Sequence, residues 1–520
     1  MARRLIIRSS WPGPLAVFLG GLVLYGATLA PTVLWGDDAE LQRIVVTGEA
    51  RAIGQSSRAS HLLWLAIAAG LVRHTSWLPL DAAGRTNLVT ALFGALTLPF
   101  IYLAAARLAG PVARYPAIAG LAAATAFGLS HTFWLLAVRP DVYTLSMALL
   151  AMSAWGILCW RSGGGPAPLA LAASGVALAL TNHVLILASV PGLAVLAITV
   201  PTPRRQQLLR AAGVAAVPVA LVILAAMQRG VPLDDLLRAV LSYRPQVPPV
   251  RDVLLVPAYL LYQFPVSIPL AVWGASRLWR RDRGALAGLA ALYAGNVLLM
   301  LVRHHPAMYV RDQYIFFLPS YVPVALAIGV GCAAALEAIL ARGWSCRARR
   351  LAAGGLAGAL LATLVVYPLA AWLGGATAQQ LAPARQLPGR DPVAFYLLPS
   401  KASYWGARAY GESALAALPP NAAVVADWLP YQTLRYLQVV EGRRPDVLLA
   451  QLNAGEGRQL AFLLEHEGQR PLFLADASPY PYYELAEIER CFAVMAHGVV
   501  YRLVPRTAAG GCRDASGTRG

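Results

Sequence analysis

Charge is scarce in this chain: 13% of its 520 residues are Asp, Glu, Lys or Arg, while 58% are hydrophobic. An average soluble domain carries about a quarter charged residues. Repeated uncharged stretches long enough to cross a bilayer make this a multi-spanning membrane protein. Lysine is nearly missing, with Lys401 the only one among 43 basic residues, a matter of composition rather than chemistry. The net charge of +18 would suit a nucleic-acid partner, but the arginines fall in short clusters between apolar runs, as orientation signals do. Nucleic acid is therefore discounted. The five cysteines have no metal-ligand spacing. Cys159 and Cys332 fall in apolar runs and Cys346 in an arginine-rich loop, which leaves Cys491 and Cys512 as a candidate pair.

What is present begins with a 25-residue uncharged run, Trp11 to Trp35. A spanning helix needs about 20 apolar residues, and the run is too long for a signal-peptide core. It reads as an uncleaved first helix that delivers Asp37, Asp38 and Glu40 to the water boundary. Leu62 to Val72, 11 residues between His61 and Arg73, is too short to span and reads as a surface-lying helix. Full-length runs follow at 88 to 106, 115 to 138, 142 to 160, 211 to 228, 253 to 276, 284 to 302, 313 to 336 and 351 to 374. The 42 uncharged residues from Ser162 to Pro203, with Asn182 and His183 at the middle, read as two helices joined by a tight turn. The expected total is 11 spans.

Arginine placement tests that parity. With the N-terminus inside, the cytoplasmic loops hold Arg3, Arg4, Arg8, Arg107, Arg114, Arg161, Arg204, Arg205, Arg210, the 277 to 283 cluster and the 342 to 350 cluster, against Asp282 as nearly the only acid. Positive charge is then inside at every loop. The outer side receives a long first loop (36 to 87), Arg139 to Asp141, the Asn182/His183 turn, the loops 229 to 252 and 303 to 312, and a soluble region from 375 to 520. In that last region short apolar runs alternate with helical patterns, as in Ala422 to Ala426 followed by Tyr431 to Val440, predicting a small α/β domain. It shows no phosphate-binding glycine loop and no serine elbow. The expected architecture is thus a transmembrane domain over 1 to 374 and an α/β domain over 375 to 520.

Five stretches carry a family resemblance. They are Leu29-Ala30-Pro31-Thr32-Val33 running into Asp37 and Glu40; Phe133-Trp134 running into Asp141-Val142-Tyr143; Asn182-His183; Tyr314 to Tyr321; and Leu418 to Ala422 with Tyr436-Leu437-Gln438 and Arg444-Pro445-Asp446-Val447. In these the chain resembles the transmembrane protein O-mannosyltransferase-like family, within the GT-C superfamily of membrane glycosyltransferases. It departs from the family at Gln55 to His61, where members carry a His-Pro-Pro-Gly-Tyr-Pro-like stretch, and at Asp38, which replaces a small residue. The resemblance implies an enzyme that moves a sugar, a mannose-like hexose, from a polyprenyl-phosphate carrier to a protein or glycan hydroxyl on the outer face of the bilayer.

Such transfer needs a carboxylate to take the acceptor's proton and positive charge for the departing phosphate. Asp37, first after the helix end and matching the family's acid, is the candidate base. A single base with direct displacement inverts the anomeric centre. A retaining route would need a second carboxylate, and Glu40, three residues on, would be it. Arg139, Arg303 and Arg311 lie at outer span ends where guanidinium groups pair with phosphate, although interfacial anchoring explains each as well. His304, Asp141, Tyr143 and His183 complete the candidate set. No cofactor is certain. Asp37, Asp141 and His183 share a depth at which a divalent ion, Mg or Mn, would find only a loose ligand set. Trp35, Trp64, Trp77, Trp134 and Tyr143 fit an interfacial aromatic belt. The alternative reading is a transporter or flippase for a lipid-linked precursor, but its inverted repeats and mid-membrane charges are not evident. A scaffold would leave the first-loop acids unexplained.

Overall fold

The computed structural model describes residues 12–48, 61–199, 247–302, 314–377 and 387–506, with scattered positions from 207 to 224. Its helical part starts with α1 (Pro12–Ala27), α2 (Asp37–Thr47), α3 (Leu62–His74) and α4 (Ala82–Ala109). Then come α5 (Pro116–Gly128), α6 (His131–Ala137), α7 (Tyr143–Arg161), α8 (Pro166–Asn182) and α9 (Val190–Ile198). Beyond position 247 follow α10 (Val250–Gln263), α11 (Ile268–Arg281), α12 (Arg283–Val302), α13 (Leu318–Ala341), α14 (Cys346–Leu361) and α15 (Thr363–Thr377).

Among the described residues four straight helices are long and apolar enough to cross a membrane, and the number rises to seven if each of three bent pairs is one span. The bends measure 70° between α5 and α6, 99° between α10 and α11, and 47° between α14 and α15. The first apolar run does not stay helical to Trp35. Helix α1 stops at Ala27 after 16 residues, and the chain leaves the helix before Pro31, which supplies no amide to continue it. The middle of the 162 to 203 run also departs from a simple hairpin. His183 is extended, residues 184 to 189 form a 3₁₀ turn, and α9 packs on α12 while α8 packs on α7.

Small residues set the tightest helix contact, between α11 and α13. A Cβ on Gly274 would lie 1.9 Å from the Ala327 carbonyl oxygen, and one on Gly331 1.8 Å from that of Leu270. Only glycine lets these backbones approach so closely. The aromatic-belt expectation is corrected for most of its members. Trp35, Trp64, Trp134 and Tyr143 are buried inside the protein and only Trp77 is largely exposed, because each buried ring fills a junction between elements.

The C-terminal part holds α16 (Pro392–Leu397), α17 (Gly406–Ala417), β1 (Ala423–Ala426), α18 (Trp428–Val439), β2 (Leu448–Gln451), α19 (Arg458–His466), β3 (Leu472–Leu474), α20 (Leu485–Cys491), β4 (Phe492–His497) and β5 (Val500–Pro505). The strands form one sheet in the order β2-β1-β3-β5-β4, with β2, β1 and β3 parallel and β5 antiparallel to both its neighbours. This is the expected small α/β layer. Alternate residues of β1 feed opposite cores: Val424 and Ala426 one, Ala423 and Val425 the other, as a strand covered on both faces requires. The first of these cores also takes in Val33, Trp35, Ala39 and Ala83, so the first loop and the α/β layer share an apolar interior. Cys491 is disulfide-bonded; Cys512, its candidate partner, lies outside the described residues.

Candidate active site

The site is assembled on the non-helical strap from Thr28 to Gly36. Its main chain is pinned by Ala30 N–H donating to the Val138 carbonyl (2.9 Å) and by Asn87 Nδ2 donating to the Ala30 carbonyl (2.8 Å). Gln42 of α2 donates to Asn87 Oδ1 (2.8 Å) and accepts from Leu34 N–H (3.2 Å), fixing α2 against α4. At Gly36 the backbone turns through φ 54°, a left-handed conformation that favours glycine. The chain then enters α2 with Asp37, Asp38 and Glu40 in its first turn, where the helix dipole favours negative charge.

The three acids meet different surroundings. Asp37 is exposed and accepts a hydrogen bond from Trp428 Nε1 at 2.6 Å. Asp38 is buried, with one oxygen 3.5 Å from Arg139 Nη1; burial pushes its carboxyl up to about 6 against the pull of Arg139. Glu40 is 2% exposed and reaches Arg43 only at 3.9 Å. Burial, reinforced by Asp37, pushes Glu40 up to about 8.

Arg139 follows α6 and stands between two carboxylates. Burial works against its charge, but Asp38 and Asp141 outweigh that and push its pKa up. Asp141 is also buried. Its side chain accepts from Tyr143 N–H (2.7 Å) and its own N–H donates to Thr90 Oγ1 (3.2 Å); burial pushes it up to about 7, opposed by Arg139.

Asn182 and His183 form a hub rather than a free turn. Asn182 donates to the Val142 carbonyl and to Ser146 Oγ, both at 2.8 Å, and accepts from Trp64 N–H (3.0 Å). The His183 ring stacks on His61 at 5.1 Å and tilts against Tyr143 at 4.6 Å, while its Nδ1 accepts from Leu185 N–H (3.0 Å). Among the described residues no three His, Cys, Asp or Glu side chains gather to hold a metal ion; Asp37, Asp141 and His183 do not meet as a set. Arg303, His304 and Arg311 lie outside the described residues.

Two contributors escaped the sequence reading, and both come from the C-terminal part. Trp428 orients Asp37. Lys401, 2% exposed, is anchored by its own N–H to the Thr28 carbonyl (2.9 Å). Its ammonium donates to the carbonyls of Leu398 and Ser400 and lies 5.1 Å from the Phe395 ring centre. Burial and Arg139 push Lys401 down to about 7, with Asp38 opposing. A lone lysine in an arginine-rich chain was the one available signal.

The sequence of residues 66–206 matches the family described as the N-terminal domain of TMEM260, a protein O-mannosyl-transferase. No curated protein sequence matches the chain. Two crystal structures of ArnT from Cupriavidus metallidurans share its fold. The undecaprenyl phosphate complex is 14% identical with a TM-score of 0.54, covering 95% of this chain and 98% of that one. The apo form is 14% identical with a TM-score of 0.55, covering 96% and 99%. Residues 66–206 thus resemble the protein O-mannosyl-transferase domain, while the ArnT structures show a shared fold alone.

Proposed function

We propose that this chain transfers a mannose-like hexose from a polyprenyl-phosphate carrier to a protein or glycan hydroxyl on the outer face of the cytoplasmic membrane, with inversion. The observation that carries the reading is the convergence of first-loop carboxylates with two buried cations, Arg139 beside Asp38 and Lys401 electrostatically linked to both. A buried ammonium satisfied only by main-chain carbonyls is held ready for an anion. The ArnT structure with undecaprenyl phosphate supports a polyprenyl phosphate as that anion, and the family match supports mannose.

The reaction balances simply. The acceptor oxygen attacks the anomeric carbon while Asp37 takes its proton. The bond from the anomeric carbon to the phosphate oxygen breaks, and the leaving polyprenyl phosphate gains a charge that Arg139 and Lys401 stabilise. Asp37 suits the base because it is reachable by an incoming acceptor and held in place by Trp428; Asp38 is occupied by Arg139.

The test is to supply the purified protein with polyprenyl-phosphate mannose labelled in the sugar and a hydroxyl acceptor. The expected products are a mannosylated acceptor of inverted anomeric configuration and free polyprenyl phosphate. Retained configuration would move the role of nucleophile to a carboxylate, and absence of any sugar release would sink the transferase reading.

A further inference from the structure

The segment from Leu387 to Lys401 carries a second cation that the transfer chemistry above does not use. Gly389 takes φ 77°, a left-handed turn that favours glycine, and it is pressed against the start of α17: a Cβ on Gly406 would fall 1.7 Å from the Gly389 carbonyl oxygen. Arg390 follows, its main-chain N–H donating to the Leu387 carbonyl at 3.0 Å. The turn delivers the guanidinium to the interior, where Arg390 is only 9% exposed. It lies 5.4 Å from the Phe395 ring centre and 5.6 Å from that of Tyr396, and its Nη2 donates to Tyr396 Oη at 3.0 Å. Its Nε reaches no hydrogen-bond partner, and among the described residues no carboxylate pairs with it. Lys401 stands on the same Phe395 ring, at 5.1 Å, and Asp38 faces both of these cations as well as Arg139. Aromatic faces attract a cation but do not neutralise it, and a buried charge without a counter-ion is costly.

Charge matching separates the three cations. Arg139 stands between Asp38 and Asp141, whereas Arg390 and Lys401 bring two positive charges with no acid in ion-pair contact. A polyprenyl-phosphate sugar is a phosphodiester and carries one negative charge. When its bond to the anomeric carbon breaks, the electron pair stays on the phosphate oxygen, and the leaving polyprenyl phosphate carries two. We propose that Arg390 meets this second charge, so that the site favours the phosphate dianion of the spent carrier over the donor diester. The inference rests on the transferase reading above and adds to it a further residue and a form of regulation. An interaction that strengthens as charge develops on the leaving oxygen lowers the barrier to transfer. The same interaction holds polyprenyl phosphate after the sugar has gone, so the spent carrier restrains turnover until it is removed.

The experiment uses the full-length protein in lipid nanodiscs at a pH of about 7.5, where a phosphate monoester is mostly dianionic. Two sugar-free probes of equal lipid length isolate the charge: polyprenyl phosphate and its methyl diester. Wild type is expected to bind the monoester about tenfold or more tighter, the effect of one charge-assisted hydrogen bond. Arg390→Gln keeps a donor for Tyr396 but no charge. It should lose most of this preference by weakening the monoester, while holding the methyl diester within about threefold of wild type, which also shows that the variant is folded. Arg390→Lys, which restores the charge, should retain part of the preference. In single turnovers of polyprenyl-phosphate mannose, Arg390→Gln should slow transfer at saturating donor by about tenfold with little change in the half-saturating concentration, as expected for a contact completed only in the transition state. Equal weakening of both probes in Arg390→Gln, or an undiminished preference for the monoester, would overturn the assignment and leave Arg390 as packing beside Phe395. Tighter wild-type binding of polyprenyl methyl diphosphate than of the monoester would spread the two cations over two phosphorus atoms and overturn the dianion reading. A preference for the monoester that depends on Arg390, found together with no sugar release from polyprenyl-phosphate mannose, would keep the dianion site and sink the transferase reading instead.

Discussion

Successive residues on a helix point about 100° apart, and at the start of α2 that angle separates two adjacent carboxylates chemically. Asp37 turns outward to Trp428 and Asp38 inward to Arg139. An amide at position 37 keeps the shape and accepts from Trp428 but cannot take a proton, so Asp37→Asn should fold normally and lose transfer by roughly 100-fold or more. Asp38→Asn leaves Arg139 less well compensated and should act mainly on donor affinity; Glu40→Gln should be intermediate. Transfer by the purified variants at matched amount and thermal stability decides this, and a dead Asp38→Asn beside a fully active Asp37→Asn would exchange the two roles. Lys401 gives a pH signature with a definite sign. Pushed down to about 7, it is charged below that pH and neutral above it, so donor affinity should fall as pH rises from 6 to 8. The donor is a phosphodiester and does not titrate in that window. Asp38 and Asp141, pushed up to about 6 and about 7, ionise in the same window and act in the same direction, so Lys401→Arg should make this limb shallower rather than abolish it, because guanidinium stays charged; an unchanged slope would remove Lys401 from phosphate binding.

Two contacts hold the first loop and the α/β layer together as elements. Gly36 takes φ 54°, and a Cβ there would meet Leu429 Cδ2 at 2.7 Å. Gly36→Ala should lower stability by about 1 to 3 kcal/mol, a typical cost of a forced left-handed residue, and displace α2, seen as a reduced Tm with a larger loss of activity. Arg408, on α17, pairs with Thr32 Oγ1 (2.6 Å), Asp81 (2.9 Å) and Glu412 (3.1 Å) and with Glu441. Arg408→Met removes the ion pair of Asp81 and leaves Glu412 and Glu441 to Arg443, and at this half-buried junction the loss of its charged hydrogen bonds should cost about 1 to 3 kcal/mol. A Tm within experimental error of wild type would show the junction to be held by its apolar core alone. Charge placement explains what could be read beforehand: the acids opening α2, the arginines closing spans and the strand-helix alternation after Ala422 are local patterns. Hydropathy does not register the end of α1 at Ala27, because Thr28 to Trp35 is uncharged; Pro31 is the one local signal, and hydrogen bonds to α4 and α2 fix the non-helical course. Burial of Trp35, Trp64 and Trp134 and the arrival of Lys401 at the site are products of distant packing, which hydropathy does not encode.

At the scale of the whole molecule, contact restricts topology more tightly than hydropathy does. Lys401 N–H reaches the Thr28 carbonyl and Trp428 reaches Asp37, so the first loop and the C-terminal domain lie on one side of the membrane. The number of crossings between residues 48 and 387 must therefore be even. The apolar runs after the first helix give ten. Seven of these coincide with the four straight helices and three bent pairs of the structure; two more fall on the shorter apolar helices α8 and Val184–Ile198, and the run at 211 to 228 lies largely outside the described residues. Reading one bent pair as re-entrant breaks the parity unless another segment changes with it. The side is a proposal from arginine placement: with the loops after α7 and α13, which carry Arg161, Arg342, Arg347, Arg349 and Arg350, inside, the acids of α2 and the α/β layer fall outside. Alkaline phosphatase fused after Gly163 or Gly343 should be inactive, and fused after Gly48 or Ala402 active. Activity at Gly48 without activity at Ala402 would mean an odd number of crossings and would contradict the contact between Lys401 and Thr28 directly; the reverse activity at all four positions would keep the fold but turn the active site to the cytoplasm.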